Sequence, residues 1–425
     1  MQTPLTKNIK PERDFATLDN YLETGGYDGL RKAVTEMDSL QVQQTVKDSG
    51  LKGRGGAGFP TGMKWSFVPM GEDAPTTKYF VVNADEMEPG TFKDRVLMEK
   101  DPHQLVEGII IGSYAIRASA AYIFLRGEYF LSAERLSAAI AEAYDKGYLG
   151  KNILGSDYSL ELYLHTSAGR YICGEETALL NSLEGKRANP RAKPPFPQVS
   201  GLWGKPTIVN NVETVCNLPH ILHYGPDWFA ELGVGADNGT KLFGASGRVK
   251  KPGVWELPMG TTIREILDEH AGGMQDGYKL RGLLPGGAST DFLVPEHLDV
   301  AMDFDAIAAA GSRMGTGTMI ILDDHTCPVQ MVLNLSQFFS QESCGWCTPC
   351  RDGLPWVVVL LQDLIDGKGR PEDLDLLLRQ TRTLGPGTTF CALAPGAMEP
   401  LQSALKYFRE DFEKYLSQPV AAGAQ

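Results

Sequence analysis

The stretch KYFVVNADEMEPGTFKDRVLMEKDPHQLVEGIIIGSYAIRASAAYIFL, residues 78–125, determines the fold class of this chain. Its apolar runs at 78–83 and 121–125 predict two buried strands, and the apolar residues spaced along 102–116 predict a helix between them. Strands that alternate with helices form a parallel sheet covered on both faces. The stretch therefore predicts an α/β fold.

The same alternation extends on both sides of this stretch. Residues 131–144 predict a second helix, which stops at Gly147, and residues 160–165 predict a third strand. Residues 1–50 have a polar, helical pattern typical of a lead-in segment. We therefore expect one α/β domain over residues 1–238.

The pattern of apolar and polar residues changes after residue 238. Short apolar runs and a helix at 262–270 predict a small β-rich α+β domain over residues 239–329. The remaining pattern is helical up to a last helix at 397–416, which predicts a third domain over residues 330–425. The basic, Pro-rich segment 188–206 is too long for a simple connector, and we expect it to be functional.

Composition argues against several classes of protein. A formal net charge of -13 disfavours a nucleic-acid partner. The longest apolar candidate, residues 109–125, is interrupted by Arg117, so we expect no direct membrane span. The first 15 residues contain no apolar signal core, and four of the seven cysteines form one cluster, which together favour a cytoplasmic protein.

The cysteine cluster has the spacing of a metal site. Cys344, Cys347 and Cys350 are separated by two residues each, and Cys391 follows from a distant turn. Three close thiolates and a fourth distant one form the ligand set of a [4Fe–4S] cluster. Four cysteines also suit a structural Zn²⁺, which remains the alternative.

A glycine-rich loop precedes the first predicted strand. Gly53, Gly55, Gly56 and Gly58 leave successive backbone N–H groups accessible, which favours an anion such as a phosphate, and Lys64 adds a positive charge. The loop matches neither the P-loop pattern nor G-x-G-x-x-G. A tight turn without a ligand is the alternative.

Polar side chains stand where a binding site is expected. Asn83, Asp85, Glu86 and Glu88 follow the first strand, and open α/β sheets bind ligands at this end. Two later polar groups are Tyr171, Gly174, Glu175 and Glu176, and Asn210, Asn211 and Thr214. The alternatives are a solvated acidic turn, carboxylates that complement a helix dipole, and asparagines that cap a helix.

Six motifs occur in one order along the chain. They are GRGGAGFPTGMKW (53–65), NADEMEPGTFKDR (83–95), AGRYICGEETALLNSLEG (168–185), PPFP (194–197), NNVET (210–214) and ESCGWCTPCRDG (342–353). With these motifs the chain closely resembles the NADH-binding flavoprotein (51 kDa-type) subunit of respiratory complex I, in its bacterial form. The resemblance implies a Rossmann-like FMN domain, a ubiquitin-like (β-grasp) domain and a C-terminal four-helix bundle that carries the iron–sulfur cluster.

The resemblance also implies roles for individual residues. FMN would be bound by Gly53, Arg54, Gly55, Gly56, Lys64, Asn83, Asp85, Glu86, Tyr171, Gly174, Glu175, Glu176, Asn210, Asn211 and Thr214. NADH would be bound by Phe59, Phe67, Glu88, Lys193 and Phe196, and the [4Fe–4S] cluster by Cys344, Cys347, Cys350 and Cys391. No side chain need act as acid or base, because FMN performs the hydride chemistry with Glu86 and Glu176 nearby.

The function implied by the resemblance is oxidation of NADH within a larger assembly. A hydride would pass from NADH to FMN, and electrons would then pass singly to the cluster and through partner subunits to quinone. The expected partners are a [2Fe–2S] thioredoxin-like small subunit and a large multi-cluster iron–sulfur subunit. These partners would hold the chain on the cytoplasmic side of the inner membrane.

Two other functions remain open. The first is the diaphorase subunit of an NAD-reducing hydrogenase or of an NAD-linked formate dehydrogenase. Such relatives often carry extra cysteine sets, whereas this chain has no cysteine before Cys173 and none after Cys391, which favours the complex I form. The second is a zinc-stabilised, non-catalytic scaffold.

Overall fold

The computed structural model describes residues 2–416. Its first sheet has four parallel strands in the order β3-β2-β1-β4. The strands are β1 (Tyr79–Ala84), β2 (Ala120–Leu125), β3 (Glu161–Thr166) and β4 (Thr207–Asn211). The three predicted strands and their parallel arrangement are confirmed. The sequence did not predict β4, which is short and ends in two asparagines.

The register of the sheet brings polar residues from two strands together. Asn83 near the end of β1 lies opposite Asn211 at the end of β4. Both residues therefore stand at the carboxyl edge of the sheet, where open parallel sheets form their ligand sites.

Twelve α-helices accompany this sheet within the described residues 2–230. They are α1 (Leu18–Glu23), α2 (Asp28–Glu36), α3 (Ser39–Asp48), α4 (Thr61–Ser66), α5 (Asp94–Lys100), α6 (Pro102–Ile116), α7 (Phe130–Asp145), α8 (Glu176–Leu183), α9 (Pro197–Ser200), α10 (Val212–Cys216), α11 (Leu218–Tyr224) and α12 (Pro226–Ala230). The predicted helix at 102–116 is confirmed with both bounds, and it is buried on nearly all sides. The helical character of the lead-in segment is confirmed by α1, α2 and α3.

The second sheet is mixed. Its strands are β5 (Thr240–Ser246), β6 (Gly253–Pro258), β7 (Leu280–Leu284) and β8 (Thr318–Asp323), in the order β6-β5-β8-β7. Only the central pair, β5 and β8, is parallel. The predicted helix at 262–270 is present as α13 (Ile263–Glu265) continued by a π-helical turn, Ile266–His270, and a further helix, α14 (Phe304–Ala309), precedes β8.

The C-terminal region is helical, as predicted. Its helices are α15 (Pro328–Glu342), α16 (Thr348–Ile365), α17 (Pro371–Thr383), α18 (Leu393–Tyr407) and α19 (Arg409–Glu413). The prediction of a single helix over 397–416 is wrong. The break falls at Phe408, which leaves helical geometry and packs its ring edge-on against Phe292 at 5.3 Å. Residues 417–425 lie outside the described part of the chain.

The first sheet shares a core with the C-terminal helices. One set of side chains packs against the helices of the N-terminal region. Val81, Phe124 and Val209 instead belong to a core formed with α8 and the C-terminal helices. This packing holds the cysteine-bearing region against the sheet. Within residues 2–416, the structure contains no helix with the length and apolar character that a membrane crossing requires.

Candidate active site

A cavity of about 270 Å³ opens at the carboxyl edge of the first sheet. It is lined by Gly55, Asn83, Asp85, Glu86, Met87, Glu88, Thr91, Lys93, Asp94, Tyr171, Ile172, Gly174, Glu175, Asn211, Ser289, Arg313, Thr316, Cys391, Ala392 and Leu393. These residues come from the first sheet, from the loops of the second sheet and from the C-terminal region. All three parts of the chain therefore build one site.

Asp85 gives the cavity an unpaired acceptor. One carboxylate oxygen, Oδ1, accepts a hydrogen bond from Ser167 Oγ at 3.0 Å, while buried Oδ2 has no partner among residues 2–416. Burial raises the pKa of Asp85 to about 7. A buried acceptor without a partner is costly. The hydroxyl groups of a flavin ribityl chain would supply the missing donor, so this residue fits FMN.

Gly174 leaves room for a flat ring. It ends the 3-10 turn Tyr171–Gly174, and its carbonyl oxygen accepts a hydrogen bond from Asn83 Nδ2 at 2.9 Å. A Cβ atom added at Gly174 would meet nothing within 4 Å. The backbone here faces open space in the cavity, which suits the close approach of an isoalloxazine ring.

Two carboxylates at the start of α8 have different surroundings. One oxygen of Glu175 caps the helix by accepting the N–H groups of Thr177 and Ala178, each at 2.9 Å, which also places its charge where it complements the helix dipole. Glu176 pairs with Lys64 at 2.8 Å and with Lys193 at 2.9 Å. Although burial opposes ionisation, these two lysines hold the pKa of Glu176 below its usual value.

The carboxylate of Glu86 is fixed at the start of α5. Its oxygens accept the N–H groups of Lys93 at 2.9 Å and Asp94 at 2.8 Å, and the hydroxyl of Tyr129 at 3.0 Å. Burial, together with the nearby charge of Asp94, raises the pKa of Glu86 to about 7. Glu86 therefore lines the cavity from a rigid position.

Glu88 links the first sheet to the loops of the second. It accepts a hydrogen bond from the Tyr171 hydroxyl at 2.7 Å and from the Ser289 N–H at 2.6 Å. Burial raises its pKa above the usual value. Glu88 thus joins the turn Tyr171–Gly174 to the loop that follows β7.

The glycine-rich loop meets the cavity at Gly55. Gly56 has a φ of 126° and faces Gly315, which lies in the loop before β8. The Arg54 side chain points away from the cavity and donates to the carbonyl oxygens of Asn238 and Thr240. Gly53 does not line the cavity. Its N–H donates to a carbonyl oxygen within the same loop, which helps to fix the shape of the loop.

Of the three polar residues around β4, one lines the cavity and the other two contact residues behind it. Asn211 lines the cavity, caps α10 and donates to Asp94 Oδ2 at 2.6 Å. Asn210 instead accepts from the indole N–H of Trp65 at 2.9 Å. The hydroxyl of Thr214 accepts the Arg54 N–H at 2.8 Å.

The aromatic residues predicted to bind NADH lie outside the cavity lining. Phe59 and Phe67 are both exposed, and their ring centroids are 6.5 Å apart. Phe196 is also exposed and precedes α9. Exposed aromatic rings would suit stacking against a base, and Lys193 lies near Phe196 in the sequence.

The four clustered cysteines line a second, smaller cavity. Cys344, Cys347, Cys350 and Cys391 all face it, and Ser343 Oγ lies 3.2 Å from the sulfur of Cys350. Among residues 2–416, no group of three or more His, Cys, Asp or Glu side chains has the arrangement that would hold a metal ion. The shared cavity, with four thiols facing it, is the feature that fits a cluster.

The other three cysteines lie apart from this cavity. Cys173 and Cys216 are buried, and Cys327 lies 3.4 Å from the hydroxyl of Tyr415. Their separation agrees with the absence of ligand spacing in the sequence.

Sequence reasoning missed several residues of the larger cavity. Lys93 and Asp94 lie within the motif NADEMEPGTFKDR, so this motif could have identified them as residues of the cavity. Ser289, Arg313 and Thr316 come from loops of the second sheet, about 200 residues further along the chain. No local pattern connects these loops to the first sheet.

Comparison with known families assigns the class of the chain. Residues 46–220 match the Nuo51 FMN-binding domain, residues 244–293 match the SLBB domain, and residues 330–415 match the NADH-ubiquinone oxidoreductase-F iron-sulfur binding region. These matches define a class of proteins that carry a flavin and an iron–sulfur site. The chain belongs to the family formed by the F subunits of NADH-quinone oxidoreductases.

Similar proteins support this membership over nearly the full length. The F subunits of the NADH-quinone oxidoreductases of Salmonella typhimurium and Escherichia coli are each 58% identical over 98% of this chain and 94% of the relative. A solved NAD+-reducing [NiFe]-hydrogenase in the H2-reduced state is 34% identical, with a TM-score of 0.84 over 95% of this chain and 67% of that one.

Proposed function

We propose that this chain is the NADH-oxidising flavoprotein subunit of an NADH:quinone oxidoreductase, the respiratory complex I type. The observation that carries the proposal is that the larger cavity and the cysteine cavity share Ile172, Cys391 and Leu393 in their walls. Bound FMN would accept a hydride from NADH and pass electrons singly to a [4Fe–4S] cluster. The residues of the chain bind, orient and separate these groups.

The FMN-binding residues are proposed in two sets. Asn83, Asp85, Glu86, Tyr171, Gly174, Glu175, Asn211 and Gly55 would contact the flavin from the cavity wall. Gly53, Arg54, Gly56, Lys64, Glu176, Asn210 and Thr214 would shape the site from behind or at its rim. The unpaired oxygen of Asp85 and the open space at Gly174 favour a polyhydroxyl chain and a planar ring.

NADH would enter from the exposed side of the cavity. Phe59, Phe67 and Phe196 would stack against its adenine, and Lys193 would meet its phosphates. Glu88 would contact the nucleotide, because it lines the cavity at the junction with the second sheet. No side chain is assigned the role of acid or base.

The cluster would be held by Cys344, Cys347, Cys350 and Cys391. The family match of residues 330–415 to an iron-sulfur binding region favours this cluster over the zinc-stabilised scaffold. The apolar side chains of Ile172 and Leu393 would exclude water between the two redox groups, which keeps the electron path within protein.

We assign three domains, over residues 1–238, 239–329 and 330–425. The mixed order of the second sheet, with a central parallel pair, favours a ubiquitin-like (β-grasp) fold for the middle domain. The four longer helices α15, α16, α17 and α18 favour a four-helix bundle for the last one.

The proposed partners are a [2Fe–2S] thioredoxin-like small subunit and a large multi-cluster iron–sulfur subunit. Through them the chain would sit at the cytoplasmic face of the inner membrane. A diaphorase of an NAD-reducing hydrogenase is the second candidate, favoured by the hydrogenase similarity. The higher identity to the NADH-quinone oxidoreductase relatives favours the first.

The decisive experiment is spectroscopy on the purified full chain with NADH and ferricyanide. We expect flavin absorption bands, an iron–sulfur electron paramagnetic resonance signal after reduction by NADH, and NADH:ferricyanide activity. A colourless protein that contains zinc would overturn the proposal. Copurification with hydrogenase subunits in place of quinone-reducing partners would favour the second candidate.

A further inference from the structure

A cluster of charged side chains is buried behind the glycine-rich loop, where the two sheets meet. Its members are Arg54, Lys93, Asp94, Glu213 and Lys241, none more than 4% exposed. They come from four places: the glycine-rich loop, the start of α5, α10 and strand β5 of the second sheet. The sequence motifs assigned a role only to Arg54 among them.

The contacts of this cluster begin at the second sheet. Lys241 of β5 lies 3.0 Å from Glu213 Oε2, and Lys93 lies 2.6 Å from the same oxygen. The other oxygen of Glu213 accepts the N–H of Leu242 at 2.8 Å. Glu213 is therefore fixed to β5 by both a charged side chain and the backbone.

The contacts continue to the cavity wall. Lys93 lies 2.7 Å from Asp94 Oδ1, and Asp94 Oδ2 accepts a hydrogen bond from Asn211 Nδ2 at 2.6 Å. Asn211 packs beside Gly55, since a Cβ atom added to Gly55 would lie 3.0 Å from the Asn211 Cβ. A chain of polar contacts thus connects β5 to Asn211, which in turn packs against the glycine-rich loop at Gly55.

Stability alone is a weak explanation for this arrangement. A buried ion pair is often no more stabilising than apolar side chains of similar volume, because desolvation opposes the Coulombic gain. The pKa of Lys241 is lowered to about 7, mainly because the side chain is buried. Glu213 opposes this shift, and the nearby cations Lys93 and Arg54 add to it. The presence of Lys241 in these surroundings is better explained by the side chains that it holds in place.

We propose that Lys241 is a positioning residue for the phosphate end of the flavin. Through Glu213, Lys93 and Asp94 it holds Asn211 against Gly55, so that the amide groups of the loop keep the geometry that a phosphate needs. The inference rests on the proposed binding of FMN at this loop. The second sheet already contributes Ser289, Arg313 and Thr316 to the cavity lining. The inference adds that β5 of this sheet is needed to keep the flavin site in shape.

The test compares FMN with riboflavin, which lacks the phosphate. The full chain is freed of flavin, and both ligands are titrated by the quenching of flavin fluorescence. In Lys241→Met we expect FMN affinity to fall about tenfold, because charge-assisted contacts to the phosphate weaken. Riboflavin affinity should change by less than about twofold, since it makes none of these contacts.

Two further variants make the result specific. Glu213→Gln, which is isosteric, should show the same selective loss and replaces Lys241→Met if that variant does not fold. Lys250→Met removes an exposed ion pair with Asp276 in the same region and should leave both affinities unchanged.

Three outcomes would count against these ideas in different ways. Equal losses for both flavins would show a general structural role and overturn the inference, as would unchanged FMN affinity in both Lys241→Met and Glu213→Gln. If the unmodified chain bound riboflavin as tightly as FMN, the phosphate site itself would be wrong, and the inference would fall with it.

Discussion

Ile172 and Leu393 lie in the wall between the larger cavity and the cysteine cavity, and each lines both. Ile172 comes from the turn before α8, and Leu393 is the first residue of α18. Both side chains are almost fully buried and belong to the core that joins the first sheet to the C-terminal helices. The fold thereby sets the two proposed cofactor sites side by side, with apolar side chains between them.

The two sites should nevertheless be separable by mutation. Cys347 lines the cysteine cavity but not the larger one, so Cys347→Ala should abolish the [4Fe–4S] electron paramagnetic resonance signal and leave FMN bound. Some loss of stability in the helical region is expected, because metal binding is coupled to folding. Cys327→Ala is the matched control and should keep the signal. A full-intensity signal in Cys347→Ala would refute the ligand assignment.

Glu88→Gln should alter nucleotide binding more than flavin content. The carboxylate accepts from both Tyr171 and Ser289, and an amide nitrogen cannot accept, so one of these two donors loses its partner. We expect the KM for NADH to rise about fivefold, the effect of roughly one hydrogen bond. Steady-state kinetics and flavin content measure the two effects.

The control for this variant is Glu72→Gln at an exposed position. It should leave KM and FMN content unchanged. If Glu88→Gln lost FMN while its KM stayed normal, Glu88 would belong to the flavin contacts instead.

Asp85 should make the stability of the flavin-free chain depend on pH. Burial raises its pKa from 3.8 to about 7, so the stability that Asp85 contributes below its unfolded pKa is lost as the pH rises through about 7. In Asp85→Asn this loss is absent. Relative to the unmodified chain, the variant should gain about 4 kcal/mol in unfolding free energy between about pH 4 and about pH 8.

Denaturant unfolding of both proteins at the two pH values measures this difference. Asp227→Asn, at an exposed position, provides the control and should show no such gain. A constant difference between Asp85→Asn and the unmodified chain across the pH range would mean that Asp85 ionises normally.

The sequence predicted β1 and β2 well because both contain continuous apolar runs, and it predicted β3 from leucines that alternate with more polar residues. It did not predict β4, a short strand that ends in Asn210 and Asn211, and it missed the helix break at Phe408, whose ring packs edge-on against Phe292. A motif also cannot tell where a side chain points. Arg54 lies within the most glycine-rich motif, yet its guanidinium is buried against Asn238 and Thr240, away from the cavity.

Gly56→Val should abolish the retention of FMN. Gly56 has a φ of 126°, which a β-branched residue adopts only with strain, although the nearest atom to an added Cβ is 3.8 Å away in Gly315. Backbone strain, and not a steric clash of the new side chain, therefore limits substitution at Gly56. To relieve this strain, the loop should shift away from the phosphate. Loss of two charge-assisted contacts would weaken binding by ~10²-fold or more.

NADH:ferricyanide activity of Gly56→Val should disappear with the flavin, while the cluster signal persists because Gly56 does not line the cysteine cavity. Gly71→Val, where an added side chain meets nothing within 4 Å and φ is not positive, is the matched control and should retain both. Gly56→Ala should show an intermediate loss, since it introduces the strain without the branched side chain. A folded Gly56→Val variant with stoichiometric FMN would show that this loop does not hold the phosphate, and the flavin would then have to be placed elsewhere along the edge of the sheet.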